Sequence, residues 1–203
     1  MSTARIDVSG LPEHVFDGRA LVWWANATLI AIESTTFAMA FWTYFYLRSV
    51  ASEWPPSGTP VPPLAPGIAG VALLLASCLP FHLAGKEAIK GPSGNRRTIR
   101  WGLFLNIVLV AGFLGIRWIE LRGLGCRWDS HAYGSAAWAI FVLHGAESLA
   151  ALLETGVVLA AFTLQEPRIK DFTDVRADGL FWYFLVGAGV ASAAVVYLAP
   201  RFL

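Results

Sequence analysis

The chain has 203 residues and a mass of 22.0 kDa; 56% of the residues are hydrophobic and only 14% are charged. Soluble domains carry about 25% charged residues. The 9 Trp and 13 Phe exclude a disordered chain, and the 2 Cys exclude a disulfide-rich scaffold. A net charge of +1 argues against a nucleic-acid partner. A membrane protein and an unusually apolar soluble protein remain.

Five apolar stretches are long enough to cross a bilayer, whose core of about 30 Å requires roughly 20 helical residues. They are residues 21–47, 65–85, 99–121, 132–164 and 179–199. These lengths predict an all-α integral membrane bundle of five transmembrane helices. The start of the chain lacks the pattern of a cleaved signal peptide. We therefore divide the chain into a cytoplasmic N-terminal segment, residues 1–20, and a membrane domain, residues 21–203.

The basic residues predict the orientation of these helices. Five spans put the N-terminus and the second and fourth loops on one side, where ten of the 15 Lys and Arg residues fall. Because cytoplasmic loops are enriched in Lys and Arg, the N-terminus is expected inside and the C-terminus outside. The fourth loop, residues 165–178, mixes charges of both signs and is predicted to be a solvated connector.

Polar residues inside the spans are the candidates for function, because a charge in hydrocarbon costs about 2.5–3.5 kcal/mol on insertion scales. Glu33 and His144 each lie about twelve residues into their spans, and Glu147 is one turn beyond His144. At about 1.5 Å per residue, all three reach the middle of the membrane. They could therefore meet and share protons if the first and fourth spans pack together. The alternative is a polar contact that only fixes helix packing or binds a partner subunit.

Glu120, at the outer end of the third span, and His82, near the inner end of the second, complete the set of candidates. Di-iron bundles need two Glu-x-x-His pairs and further Glu residues, whereas this chain has one pair in the reverse order. His82 and His144 lie at different depths, which argues against bis-His haem ligation. We expect no catalytic residue, metal or cofactor in this chain.

Read in order, these residues resemble subunit III of the haem-copper oxidases, in its five-helix form. The likeness covers about residues 20–203. Three departures from the family pattern are Arg117 in place of Gln, Glu147 in place of a second His, and Tyr183 in place of His. The motifs that carry the resemblance are Glu33-Ser34 with the aromatic residues that follow, Trp54-Pro55-Pro56, Phe81-His82, Glu120, Tyr133-Gly134-Ser135, His144-Gly145 and Phe181-Trp182-Tyr183-Phe184.

The resemblance implies an accessory subunit that packs on subunit I, where oxygen is reduced and protons are pumped, in a complex that includes subunit II. Haem and copper are then expected in the partner subunits, with membrane lipids as further partners and bound phospholipid. The expected location is a bacterial inner membrane. The proton or lipid-cleft candidates are Glu33, His82, Glu120, His144 and Glu147, and the partner-packing candidates are Trp54, Tyr133 and Trp182.

Three other hypotheses stay open on the sequence. Relatives of subunit III also accompany nitric oxide reductases. A small proton-coupled transporter could use Glu33, His144 and Glu147 as a relay, although no repeat or broken helix of the kind common in transporters is visible. A structural scaffold would have no proton role at all.

Overall fold

A computed structural model describes residue 16 and residues 20–202 of the chain. Within these residues the protein is all-α, as predicted, and contains no strand. A 3₁₀ turn, Gly91–Ser93, precedes α3, and a π-helical turn, Ala194–Leu198, joins α5 to α6. The helices are α1 (Leu21–Val50), α2 (Leu64–Ala88), α3 (Arg96–Gly123), α4 (Ala132–Leu164), α5 (Ile169–Ala193) and α6 (Ala199–Phe202).

Helices α2 to α5 form a four-helix core, and α1 packs on its outside against α4 and α5. The peripheral position of α1 explains why Phe37 and Tyr44 are its only buried side chains among the described residues. One apolar cluster of the core includes Leu74, Phe113 and Trp182. A second cluster, which includes Tyr44, joins the C-terminal part of α1 and the N-terminal part of α4 to the π-helical turn.

Four helical segments are long and apolar enough to cross a membrane: Leu64–Ala88, Arg96–Gly123, Ala132–Leu164 and Ile169–Phe202. Between 33% and 50% of the residues in their apolar stretches are buried inside the protein. The remaining apolar surface therefore faces lipid or a partner, and the chain is a multi-pass membrane protein. Helix α1 has 30 residues, which is enough to span a bilayer, but Asn26, Glu33 and three neighbouring hydroxyl residues make it more polar. The fifth crossing thus remains a prediction.

The first four predicted spans lie within α1 to α4, and the bounds predicted for α4 are those observed. The fifth, residues 179–199, lies within the helical segment Ile169–Phe202, but the predicted loop before it is wrong: α5 begins at Ile169, so most of the predicted solvated connector is helical. Its charges stabilise the helix, because Asp171 accepts a 2.6 Å hydrogen bond from the Arg168 N–H and Lys170 pairs with Asp174 at 3.3 Å. Asp171, Phe172, Val175, Asp178 and Gly179 make up a buried face at helical spacing.

Candidate functional site

A buried ion pair on α3 forms the centre of the most polar region inside the bundle. The side chains of Arg117 and Glu120, one turn apart, are only 5% and 2% exposed. Arg117 Nη1 lies 2.9 Å from Glu120 Oε2, so the two side chains form an ion pair. These two atoms are not aligned for a hydrogen bond. The guanidinium carbon lies 4.9 Å from the centroid of the Phe113 ring and 4.2 Å from that of Phe141. A carboxylate and two ring faces thus stabilise a cation removed from water.

His144 on α4 continues this region, and its partners determine its protonation. Its Nε2 lies 2.9 Å from the Leu185 carbonyl oxygen on α5, and its Nδ1 lies 3.3 Å from Arg117 Nη2. A carbonyl oxygen only accepts hydrogen bonds, and a guanidinium only donates them. Nε2 must therefore carry the hydrogen and Nδ1 must be free of one, so His144 is neutral.

Tyr197 completes the region from the far end of the chain. Its hydroxyl donates a 2.9 Å hydrogen bond to Glu120 Oε1. Tyr197 lies in the π-helical turn, a local widening of the helix that changes the direction of the side chains it contains. Gly67 on α2 leaves the space for its ring, since a Cβ at this position would lie 2.5 Å from a ring carbon of Tyr197.

We call Tyr197, Glu120, Arg117 and His144 the Arg117 network. Each hydrogen bond within it has a fixed direction: the phenol donates to the carboxylate, the guanidinium to the imidazole, and the imidazole to a carbonyl. A proton added to His144 would sit on Nδ1, and this N–H would then face an N–H of the Arg117 guanidinium. The network can therefore hold charge and fix helix packing, but its geometry does not suit proton transfer through His144.

Glu33 and Glu147 form a second polar feature, outside the Arg117 network. The prediction that Glu33 and Glu147 meet required α1 to pack on α4, and it does. The two side chains are half-buried, and their carboxyl groups lie within electrostatic range of each other. Among the described residues, neither makes a hydrogen bond or an ion pair. His144 does not join them, because its ring nitrogens face Arg117 and Leu185. We call Glu33 and Glu147 the carboxylate pair.

His82 lies apart from both features. It is exposed near the C-terminal end of α2, before the short connection to Arg96 at the start of α3. It lines a surface pocket of about 250 Å³ between α2 and α5, which also contains Lys86 and Arg176. No described contact links His82 to the carboxylate pair or to the Arg117 network.

The three candidates for partner packing make contacts within this chain. The half-buried Trp54 ring packs edge-on against Tyr44 and Tyr133, with centroid distances of 5.2 Å to each. Tyr133 is fully buried, and Trp182, which is 1% exposed, donates a 2.9 Å hydrogen bond from its indole N–H to Ser77 Oγ. These contacts hold the first loop on the bundle and α5 on α2, and they leave almost none of Tyr133 or Trp182 for a partner.

From the sequence, Arg117 and Glu120 were noted as polar residues of one span but not paired, and Tyr197 and Asp178 were missed as members of a site. An Arg three residues before a Glu within one span was a signal for an internal ion pair. Tyr197 gave no such signal, because its position depends on the π-helical turn. The part of the chain that the structure describes contains no group of three His, Cys, Asp or Glu residues arranged to hold a metal ion.

Together these features define a polytopic α-helical membrane protein with a charged interior. No family model matches the sequence. Three curated relatives do, each named cytochrome c oxidase subunit 3. The one from Thermostichus vulcanus is 26% identical over 84% of this chain and 83% of its own length. The others are from Candida parapsilosis, 27% identical over 77% of this chain, and Allomyces macrogynus, 29% over 57%.

The chain spans 59% and 43% of the lengths of the two fungal relatives. All three matches carry the name of one oxidase subunit, which favours the oxidase hypothesis over the nitric oxide reductase and transporter alternatives. The comparisons confirm the predicted resemblance: over most of its length the chain is similar to a cytochrome c oxidase subunit 3.

Proposed function

We propose that this chain is the accessory, non-redox subunit III of an aerobic haem-copper terminal oxidase in a bacterial inner membrane. It packs on subunits I and II, which hold the haem and copper, and supports oxygen reduction and proton translocation there. The observation that carries the proposal is the match to a cytochrome c oxidase subunit 3. This match includes 84% of this chain and 83% of the relative. The multi-pass helical fold supports it.

Within this function, the carboxylate pair is the candidate for a proton role. Carboxyl groups at membrane depth face protein or a water-filled space, because exposure to lipid is costly. Glu33 and Glu147 are half-buried and lack a hydrogen-bond donor or cation within the described residues. We infer that a partner subunit or a water path covers them in the assembled complex, where they aid proton uptake.

Bound phospholipid is the second element of the proposal. A groove of about 390 Å³ runs between α2 and the end of α5, and its lining is apolar. It opens on the outer surface of the bundle, where an acyl chain could lie along it. The residues that line it include Ile68, Val71, Leu75, Val190 and Leu198.

The proposal is tested by purifying the chain from its native membrane in mild detergent, with and without cross-linking before extraction. We expect a larger co-purifying subunit, a reduced-minus-oxidised haem spectrum and oxygen uptake by the eluate. A control purification from untagged cells should give none of these. A cross-linked chain that still lacks a haem-bearing partner would contradict the oxidase assignment.

Five crossings with the N-terminus inside are also part of the proposal, and cysteine labelling tests them. In a Cys126→Ser background, Ser93→Cys would lie in the second loop and Ser130→Cys in the third. A membrane-impermeant maleimide should label position 130 from the outside of intact cells. It should label position 93 only after the membrane is opened. The same accessibility at both positions would contradict the topology.

A further inference from the structure

Two aspartates of α5 are buried to the same degree but in opposite electrostatic surroundings. Asp171 and Asp178 are 2% and 1% exposed. Asp171 accepts a hydrogen bond from the Arg168 N–H at 2.6 Å and lies 3.5 Å from the Arg168 guanidinium and 3.6 Å from Lys170 Nζ. A carboxylate is well stabilised in such a place. Asp178, two turns further along the helix, has none of these partners.

The hydrogen bonds around Asp178 can be counted atom by atom. Its Oδ1 has no hydrogen-bond partner, and its Oδ2 lies 2.8 Å from Thr155 Oγ1 on α4. The same Thr155 oxygen lies 2.9 Å from the carbonyl oxygen of Ala151. The Thr155 hydroxyl has one hydrogen and faces two acceptors, if Asp178 is ionised. One of the two contacts would then lack a hydrogen.

A proton on Asp178 Oδ2 resolves this shortage. The acid then donates to Thr155 Oγ1, and the Thr155 hydroxyl donates to the Ala151 carbonyl, so both short contacts contain a hydrogen. Oδ1 becomes a neutral carbonyl oxygen, which costs much less to leave without a donor than a charged oxygen would.

The charges near Asp178 lead to the same conclusion. Its electrostatic neighbours are Glu154 on α4, which is exposed, and the half-buried Asp174 on its own helix. Asn26 of α1 donates to the neighbouring Ala177 carbonyl and adds no charge. His82, Lys86 and Arg176, from α2 and α5, line the pocket beside Gly179. No cation among the described residues pairs with Asp178, and an ionised carboxylate there would meet two like charges.

We propose that Asp178 and Thr155 form a proton-binding site between α4 and α5, in which Asp178 is a neutral carboxylic acid at neutral pH. The ligand is a proton delivered by a hydronium ion, which becomes water when an O–H bond forms at a lone pair of Oδ2. The exposed Glu154, within electrostatic range, is the group through which this proton exchanges with the aqueous side. The inference concerns only residues of this chain, and it holds whether or not the oxidase assignment is correct.

Infrared spectroscopy of the full chain with isotope-labelled aspartate carboxyls, in nanodiscs at neutral pH, tests this site directly. We expect a carbonyl band of one protonated aspartate that is present in the native protein, shifts in heavy water, and is absent from Asp178→Asn. The matched control, Asp171→Asn, should keep the band at full intensity. Native protein without such a band, or Asp178→Asn with the band unchanged, would overturn the proposal.

Two further variants keep the test decisive if Asp178→Asn does not accumulate. Thr155→Val removes the acceptor of the acid proton, so the band should remain but change frequency. Glu154→Gln should slow the exchange of the band into heavy water without altering its frequency. A band that neither variant affects belongs to another aspartate and would also overturn the proposal.

Discussion

The Arg117 network and the carboxylate pair each include a residue of α4, His144 and Glu147 respectively, yet they differ in how their charges are satisfied. In the network, the cation, the carboxylate, the phenol and the imidazole compensate one another inside the four-helix core. In the carboxylate pair, two acids approach each other on the peripheral helix α1 and on α4 without a donor or a cation from the described chain.

This difference separates two roles that the sequence could not separate. A closed set of polar groups fixes how helices pack, and it needs nothing from outside the chain. An open pair of acids at membrane depth needs a partner, water or protons to be tolerated. We therefore propose that His144 and Glu120 serve the internal structure, and that Glu33 and Glu147 serve the function of the proposed complex.

The largest expected effect comes from breaking the buried ion pair. Glu120→Gln leaves the Arg117 cation without its counter-charge, and removal of one partner of a buried pair costs about 3–5 kcal/mol. We expect a loss of that size in the free energy of unfolding, measured by denaturation in mixed micelles. The double variant Arg117→Met/Glu120→Gln should recover much of it. Arg122→Gln, at an exposed position, is the control. Equal stability of the native protein and Glu120→Gln would contradict the pair's structural role.

A smaller effect is expected from added volume beside His144. A Cβ at Gly189 would lie 2.6 Å from His144 Nε2 and 2.6 Å from Leu74 Cδ1, so Gly189→Ala should destabilise the bundle by about 1–3 kcal/mol. Gly187 faces open space two residues away, which makes Gly187→Ala a matched control. The same unfolding assay compares the two. If both variants behaved alike, the close approach of α5 to His144 would be disproved.

A single hydrogen bond in the core should have a still smaller effect. Trp182→Phe removes the indole N–H that donates to Ser77 Oγ but keeps a ring in place. The lost hydrogen bond and the lost ring volume together predict a destabilisation of about 1–2 kcal/mol. Trp118→Phe, at an exposed position on α3, should change the unfolding free energy by much less. The reverse order would show that Trp182 is not a core anchor.

The smallest effect on stability is expected at the carboxylate pair. Glu33→Gln and Glu147→Gln remove no hydrogen bond or ion pair within the described chain, so each should change the free energy of unfolding by about 0.5 kcal/mol or less. Each also relieves the repulsion between the two acids. A loss comparable to that of Glu120→Gln would mean that the pair is part of the internal structure.

Helix bounds set by local sequence signals could be predicted, whereas those set by charged residues could not. The bounds of α4 were predicted as observed, and the His131 Nδ1 that accepts the Gly134 N–H at 3.0 Å caps its first turn. The start of α5 was missed because a charged segment has low hydropathy and was therefore predicted to be a loop. In the structure, Asp171 caps the helix and Lys170 pairs with Asp174 along it. This error also hid Asp178, which was assigned to the solvated connector.

The pairing of polar residues could be predicted only in part. Counting depth along the spans indicated that Glu33, His144 and Glu147 reach the same level. It could not give the direction of each side chain, which depends on how the helices rotate about their axes. His144 therefore joined Arg117, whereas Glu147 remained near Glu33.

The most direct test of this account is the proton-to-electron ratio of the purified complex that contains Glu33→Gln in this chain. We expect normal assembly and normal haem content, because Glu33 makes no hydrogen bond or ion pair within the described residues, together with reduced proton uptake during turnover. Arg122→Gln, assembled in the same way, should pump as the native complex does. A Glu33→Gln complex that assembles and pumps normally would contradict the proton role of the carboxylate pair.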